Sequence, residues 1–162
     1  MVKLILEVNP KAGSEAPVLD KVLEVFGNPF VSQIEQLSDF YVVIDLCQEN
    51  IKKASSIQDF PGILDMKATV VDVEVASLDK AQGEEDYYIV FVQTQTGRRV
   101  EAMNALKNLE GVKLRNAGYI YDNRADIILE VLSEKMPSEI VDQIRAIDAV
   151  EDTIFYNLPR VR

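Results

Sequence analysis

The chain has 162 residues, with 17 basic and 27 acidic side chains, one cysteine and no histidine. Its net charge of −10 argues against a nucleic-acid-binding surface, because affinity for phosphate comes mostly from lysine and arginine. The absence of histidine removes the commonest general base and the commonest transition-metal ligand, and a single cysteine cannot form an intrachain disulfide. We therefore expect a cytoplasmic globular protein that has no metal, no cofactor and no membrane association.

The first half of the chain alternates between strand-like and helix-like patterns. Apolar and β-branched runs predict strands, and apolar residues at steps of three and four predict helices. Gly27-Asn28-Pro29 ends the first helix. In chain order we predict strand 2–8, helix 14–26, strand 30–37, strand 40–46, helix 49–57 and strand 67–75.

The second half has the same order of patterns. It follows a polar, charged stretch without periodicity, whose central residues 78–84 are predicted to be a linker. In chain order we predict strand 87–94, helix 98–109, strand 112–121, strand 127–132, a helix opened by Pro137 and strand 153–158.

The two halves are related as an internal repeat. Asp39–Ile44 matches Asp126–Val131, and both halves read β-α-β-β-α-β, the split ferredoxin-like arrangement. We predict an α+β fold of two tandem ferredoxin-like βαββαβ units with antiparallel sheets, packed on each other as a pseudo-dimer. The predicted domains are residues 1–77 and 85–162.

The second half resembles the C-terminal effector-binding domain of the Lrp/AsnC transcription regulators, also called the RAM domain and related in shape to ACT domains. The resemblance rests on Tyr88–Gly97, Asp126–Val131 and Ile144–Thr153, and the first half matches more weakly. The helix-turn-helix that precedes this domain in the family has no counterpart in the first half. The resemblance therefore implies a stand-alone effector-binding or assembly module that is not an enzyme, does not bind DNA directly and binds a small molecule such as an amino acid.

The resemblance also implies where an effector would bind. In the family the site is formed by the turn before the third strand and by residues after the second helix. The ligand-binding candidates carried over are Asn123, Arg124, Asp126, Asp152 and Thr153. Each type also has an ordinary structural role, since aspartate often binds turn amides and a loop arginine is usually solvated.

Two other functions stay open at this point. One is a protein-interaction adaptor that pairs with a DNA-binding relative, and homo-oligomers are also expected because family members form rings of dimers. The other is a small ferredoxin-like enzyme, since one fold hosts many chemistries. A buried carboxylate beside tyrosine or arginine would favour the enzyme, and a purely apolar sheet interface would exclude it.

Overall fold

A computed structural model describes residues 2–27, 30–33, 39–77, 85–122 and 124–157 of the chain. Two compact units divide between Val70 and Val71. The predicted linker 78–84 lies outside the described residues, and the domain boundaries at residues 77 and 85 stay a prediction. Within the described ranges, none of the helices is long and apolar enough to cross a membrane.

The first unit has the predicted order of elements. They are β1 (Val2–Pro10), α1 (Glu15–Phe26), β2 (Val31–Gln33), β3 (Phe40–Asp45), α2 (Gln48–Gln58) and the first part of β4 (Ile63–Ala76). The strands are ordered β2-β3-β1-β4. β1 pairs with β3 in antiparallel register from Lys3 opposite Asp45 to Val8 opposite Phe40. Residues 34–38 of the predicted second strand lie outside the described ranges.

The second unit repeats this plan. Its elements are the last part of β4, then β5 (Asp86–Thr94), α3 (Arg99–Leu106), β6 (Lys113–Asp122), β7 (Ala125–Ser133), α4 (Pro137–Arg145) and β8 (Val150–Asn157). The strands are ordered β4-β6-β7-β5-β8, and each pair of neighbouring strands in this order is antiparallel. The α+β class with antiparallel sheets is therefore confirmed, whereas the pairing of the units as a pseudo-dimer stays a prediction.

Helices cover one face of the sheet in each unit because their apolar residues recur with helical spacing. In the first unit, Val18, Val22 and Ile57 of the helices pack with Leu6 and Val8 of β1. The corresponding cluster of the second unit contains Val90, Val92, Met103, Leu106, Ile127, Leu129, Ile140 and Ile144. The strand residues between these apolar positions point to the opposite face of each sheet.

β6 and the end of β4 approach each other closely in the second unit. Gly118 of β6 allows this approach, because a Cβ atom there would lie 2.7 Å from the carbonyl oxygen of Asp72. The strand β4 extends beyond the predicted bounds at both ends, whereas α3 ends at Leu106, three residues before the predicted end. These differences move the ends of elements and leave their order unchanged.

Candidate active site

Asp126, one of the predicted ligand-binding residues, is held by the end of β5 and the start of α3. Its Oδ2 atom accepts two hydrogen bonds of 2.9 Å from Thr94, one from the backbone N–H and one from the hydroxyl. Its Oδ1 atom lies 3.3 Å from Nη2 of Arg99, the first residue of α3. The carboxylate therefore joins three elements of the second unit.

The same contacts set the ionisation of Asp126. Burial alone would raise the pKa of this carboxyl, but the two hydrogen bonds from Thr94 and the Arg99 guanidinium together outweigh burial and hold the pKa below its ordinary value of 3.8. Arg99 also lies over two rings, 5.8 Å from the centroid of Tyr119 and 5.2 Å from that of Tyr121. Asp126 is thus an ionised residue that positions Arg99.

The turn before β7 contains the next two predicted residues. Asn123 lies outside the described residues. Arg124 binds Asp122 through its backbone N–H at 2.9 Å, through Nε at 3.1 Å and through Nη2 at 3.1 Å. Its guanidinium lies 4.4 Å from the ring centroid of Phe91, and the Asp122 side chain is only 1% exposed. Arg124 therefore takes part in a partly buried ion pair.

Asp152 and Thr153 lie near the start of β8, where they pair with Gln93 and Val92 of β5. The carboxylate of Asp152 accepts a 2.8 Å hydrogen bond from the backbone N–H of Thr153 and lies 3.8 Å from Nη2 of Arg145. Thr153 is buried opposite Val92, and its Oγ1 atom has no hydrogen-bond partner among the described residues. The four described candidates thus contact different sets of partners, and their role in ligand binding stays a prediction.

Glu130 is a candidate functional residue that the sequence reasoning missed. It lies in the middle of β7 and its side chain is 4% exposed. Its Oε2 atom accepts a 2.7 Å hydrogen bond from Nδ2 of Asn116 and lies 4.0 Å from Nε of Arg115. Its Oε1 atom and Oδ1 of Asn116 are buried without a hydrogen-bond partner in the part of the chain that the structure describes. Leaving a buried polar atom unpaired is costly, so each such atom requires an explanation, and a catalytic role is one of those known.

A β-bulge creates this cluster. Leu114 pairs with Val131 and Asn116 pairs with Glu130, so Arg115 is an extra residue in β6. In a regular strand neighbouring side chains point to opposite faces, whereas a bulge changes their direction and lets both Arg115 and Asn116 approach Glu130. The Arg115 guanidinium also lies 5.7 Å from the ring centroid of Tyr87.

Apolar and aromatic side chains border Glu130 on the same sheet face. Ile89 of β5 is its cross-strand partner, and the next pair on this face is Phe91 opposite Ile128. All three side chains are buried, and Phe91 packs edge-on against Tyr156 with ring centroids 5.9 Å apart. The face opposite the helices therefore combines an apolar floor with a polar cluster. A buried carboxylate beside arginine is the feature that the sequence analysis took as favouring an enzyme.

The signal for Glu130 in the sequence is one acidic residue inside the apolar run Ile127–Leu132. Its partners carry no such signal, because nothing in the sequence marks the bulge at Arg115. Within the described ranges, no group of three or more acidic, cysteine or histidine side chains is arranged to hold a metal ion.

Comparison with known proteins gives structural neighbours only. No family model matches the chain, and no curated protein matches it. A candidate monooxygenase from Fusobacterium nucleatum has a TM-score of 0.71 at 13% identity, over 99% of this chain and 92% of that one. One from Lactobacillus acidophilus has a TM-score of 0.66 at 12% identity, over 98% and 93% of the two chains. An anthrone oxidase-like protein has a TM-score of 0.61 at 9% identity, over 99% and 91%.

These neighbours correct two predictions. The stand-alone effector-binding module and the absence of an enzymatic function are both contradicted by these neighbours, which are described as candidate monooxygenases and as oxidase-like. They favour the small ferredoxin-like enzyme that the sequence analysis left open. The physical reason for the error is that the matched motifs are strand and turn residues, which any βαββαβ unit needs whatever it does.

The resemblance to Lrp/AsnC domains is supported only at the level of the fold. The neighbours share a ferredoxin-like α+β architecture with this chain, and at such low identity the likeness shows the fold alone. The adaptor role, a protein partner and a homo-oligomer stay predictions from the sequence.

Proposed function

We propose that this chain is a small ferredoxin-like enzyme that oxidises an organic ring compound with dioxygen, and that Glu130 is its proton acceptor. The observation that carries this proposal is the buried Glu130 carboxylate, whose Oε1 atom has no hydrogen-bond partner among the described residues. Native proteins rarely keep an unsatisfied buried carboxylate oxygen without a functional reason. The names of the structural neighbours add the class of reaction, oxygenation or oxidation.

The chemistry follows from the groups around Glu130. A carboxylate oxygen can remove a proton from a bound reactant, which leaves the bonding electron pair on the reactant as an anion. The Arg115 guanidinium, 4.0 Å from Oε2, lies close enough to stabilise that negative charge. An electron-rich anion reacts with dioxygen more readily than its neutral parent, so Glu130 acts before the oxidation step.

The apolar floor suits a ring rather than a chain. Ile89 lies opposite Glu130, Phe91 lies opposite Ile128 on the same sheet face, and Phe91 makes an edge-on ring contact to Tyr156. Aromatic reactants bury a large apolar area and have a polar edge that such a face complements.

Dioxygen uptake with anthrone as the probe tests the proposal. Anthrone and dioxygen give anthraquinone and water; the methylene carbon is oxidised by four electrons, and one oxygen atom enters each product. We expect uptake above the uncatalysed rate, and a loss of about 100-fold or more in Glu130→Gln, because general bases typically contribute factors of that size.

Glu134→Gln is the matched control, because Glu134 is an exposed carboxylate just after β7. It should leave the uptake rate unchanged. No uptake above the uncatalysed rate by the unaltered protein, or full activity of Glu130→Gln, would contradict the proposal.

We also propose, from the repeat in the sequence, that the two units pair as a pseudo-dimer. A protease site inserted within residues 78–84 and then cleaved provides the test. The two halves should elute together in gel filtration under native conditions, and their separation would contradict the pairing.

A further inference from the structure

We propose that a second copy of this chain docks on the second unit through a two-fold interface, in which Arg99 of each copy binds Asp72 of the other and Tyr121 is buried in the contact. We call the surface formed by Asp72, Arg99, Tyr119 and Tyr121 the tyrosine-arginine patch. All four residues belong to the second unit, and none is a reacting group of the proposed oxidation.

Two strongly exposed apolar side chains lie at or beside this patch. Tyr121, at the end of β6, is 84% exposed, and Val100, which follows Arg99 in α3, is 63% exposed. One exposed apolar side chain is ordinary on a protein surface. Tyrosine beside arginine is less ordinary, because these residue types supply much of the binding energy at protein interfaces. The composition of the patch therefore favours a protein contact.

The Arg99 side chain is already held in place for such a contact. Its guanidinium lies over the rings of Tyr119 and Tyr121, and its Nη2 atom lies 3.3 Å from Oδ1 of Asp126. Its Nε and Nη1 atoms form no hydrogen bond with any residue in the described ranges, although the side chain is 33% exposed. A partner acceptor could therefore bind these donors at little cost in side-chain entropy.

Asp72 supplies the opposite charge on the same patch. It lies directly across the β4–β6 ladder from Tyr119, is exposed and forms no ion pair with a residue that the structure describes. Burial and the carboxylates of Glu74 and Asp72 raise the pKa of the Tyr119 hydroxyl, whereas Arg99 lowers it. Charges of both signs therefore lie near this ring. Glu74 already binds Lys107 at 3.2 Å, so Asp72 is the carboxylate left to bind a partner.

A second copy fits this pair of charges better than a partner of one sign. In a two-fold interface the same patch lies on both sides, so an axis close to Tyr119 brings Arg99 of one copy to Asp72 of the other, twice. An acidic partner would be repelled by Asp72 and a basic partner by Arg99. The net charge of −10 makes two copies repel at a distance, so association needs matched charges of this kind at the contact.

Sedimentation equilibrium of the full chain over a concentration series tests the association. We expect a monomer–dimer equilibrium with a dissociation constant of about 100 µM or lower, because specific interfaces commonly reach the micromolar range. Tyr121→Ser should raise this constant about tenfold or more, as expected for a tyrosine buried in an interface. A monomer at every concentration up to about 1 mM, or an unchanged constant in Tyr121→Ser, would overturn the proposal.

Met136→Ser is the matched control. Met136 is 64% exposed and follows the end of β7 that lies away from the hairpin between Asp122 and Ala125. It is therefore about 25 Å from the patch along the strand, and its replacement should leave the dissociation constant unchanged. An equal increase in Met136→Ser and Tyr121→Ser would overturn the assignment of the interface to the patch.

Exchanging the two charges separates binding between copies from the structural role of Arg99. Arg99→Glu places two carboxylates opposite each other across the two-fold axis, and Asp72→Arg places two guanidinium groups there. Each variant should raise the dissociation constant about tenfold or more, and the double variant should regain most of the affinity. Repulsion from Asp126 within one chain persists in the double variant, so regained affinity comes from the contact between copies. A double variant no tighter than either single variant would overturn the proposed ion pair.

Discussion

Each unit has an aspartate at the corresponding position, but the groups around the two carboxylates shift their pKa values in opposite directions. Asp39 precedes β3 in the first unit, and Asp126 lies near the start of β7 in the second. Burial and the nearby carboxylates of Glu7 and Asp65 raise the pKa of Asp39. Burial also acts on Asp126, but Thr94 and Arg99 supply donors that hold its pKa low. The repeat therefore preserves the backbone position and not the electrostatics.

The difference follows from where the arginines are. All seven lie in the second half of the sequence, and the five among the described residues each contact a carboxylate of the second unit. The middle of the third strand differs as well, because Val43 stands in the first unit where Glu130 stands in the second. The same strand order thus carries different side chains in the two units, and the reacting groups that we propose belong to the second unit.

Replacing Asp126 by Asn should give the largest change in stability. The variant loses charge-assisted hydrogen bonds from Thr94 and Arg99, so we expect the free energy of unfolding at pH 7 to fall by about 1–3 kcal/mol in urea titrations. Because the folded pKa lies below 3.8, this stabilisation is present at neutral pH and is lost as the pH falls through the folded pKa. An equal loss in Asp39→Asn would remove the contrast between the units.

Tyr41→Phe tests a buried polar contact of the first unit, the hydrogen bond between Tyr41 and Glu7. The Tyr41 hydroxyl donates a 2.6 Å hydrogen bond to Oε1 of Glu7, and the residue is 1% exposed. We expect a loss of about 1 kcal/mol in the free energy of unfolding. Tyr121→Phe, at a residue that is 84% exposed, is the control and should change stability little. A cost at Tyr121 as large as that at Tyr41 would show that burial is not the cause.

Arg99→Gln should raise the pKa of Asp126 towards that of an ordinary carboxyl. Removing the guanidinium withdraws one of the contacts that lower the pKa of Asp126, so this pKa should rise while the hydrogen bonds from Thr94 remain. The stability should fall by less than about 1 kcal/mol, as expected for a partly exposed ion pair. NMR titration of the Asp126 carboxyl carbon measures the shift, and an unchanged pKa would contradict the role given to Arg99.

Asp39→Asn should have the smallest effect and the opposite sign. The pKa of Asp39 is raised, so its ionisation at neutral pH disfavours the folded state, and the amide should stabilise the protein by up to about 0.5 kcal/mol at pH 7. The gain should vanish below pH 3.8, where the carboxyl is protonated in both states. A destabilised variant at pH 7 would contradict the repulsion from Glu7 and Asp65.

The order of elements was predictable because it depends on local patterns. Apolar and β-branched runs identified β5 and β7, and apolar residues on one face identified α4, although ends such as that of α3 shifted by a few residues. The beginning of β4 was missed because its first residues, Ile63–Met66, do not alternate between apolar and polar types.

The candidate site was much less predictable. Asp126 could be singled out from its position, but its partners Thr94 and Arg99 come from other elements and are joined to it only by the fold. The Glu130 cluster depends on a bulge, which shifts the register by one residue at Arg115 and leaves no pattern in the sequence. Function was misjudged for a related reason, since the motifs describe the scaffold and the chemistry depends on contacts across strands.

The rate of dioxygen uptake with anthrone, compared between Glu130→Gln and Tyr41→Phe, tests most directly whether the second unit carries the reaction. Both variants remove one polar group from a buried position of a sheet, one in each unit. We expect a loss of about 100-fold or more for Glu130→Gln and a change of less than about threefold for Tyr41→Phe. Equal losses, or a larger loss for Tyr41→Phe, would contradict the account.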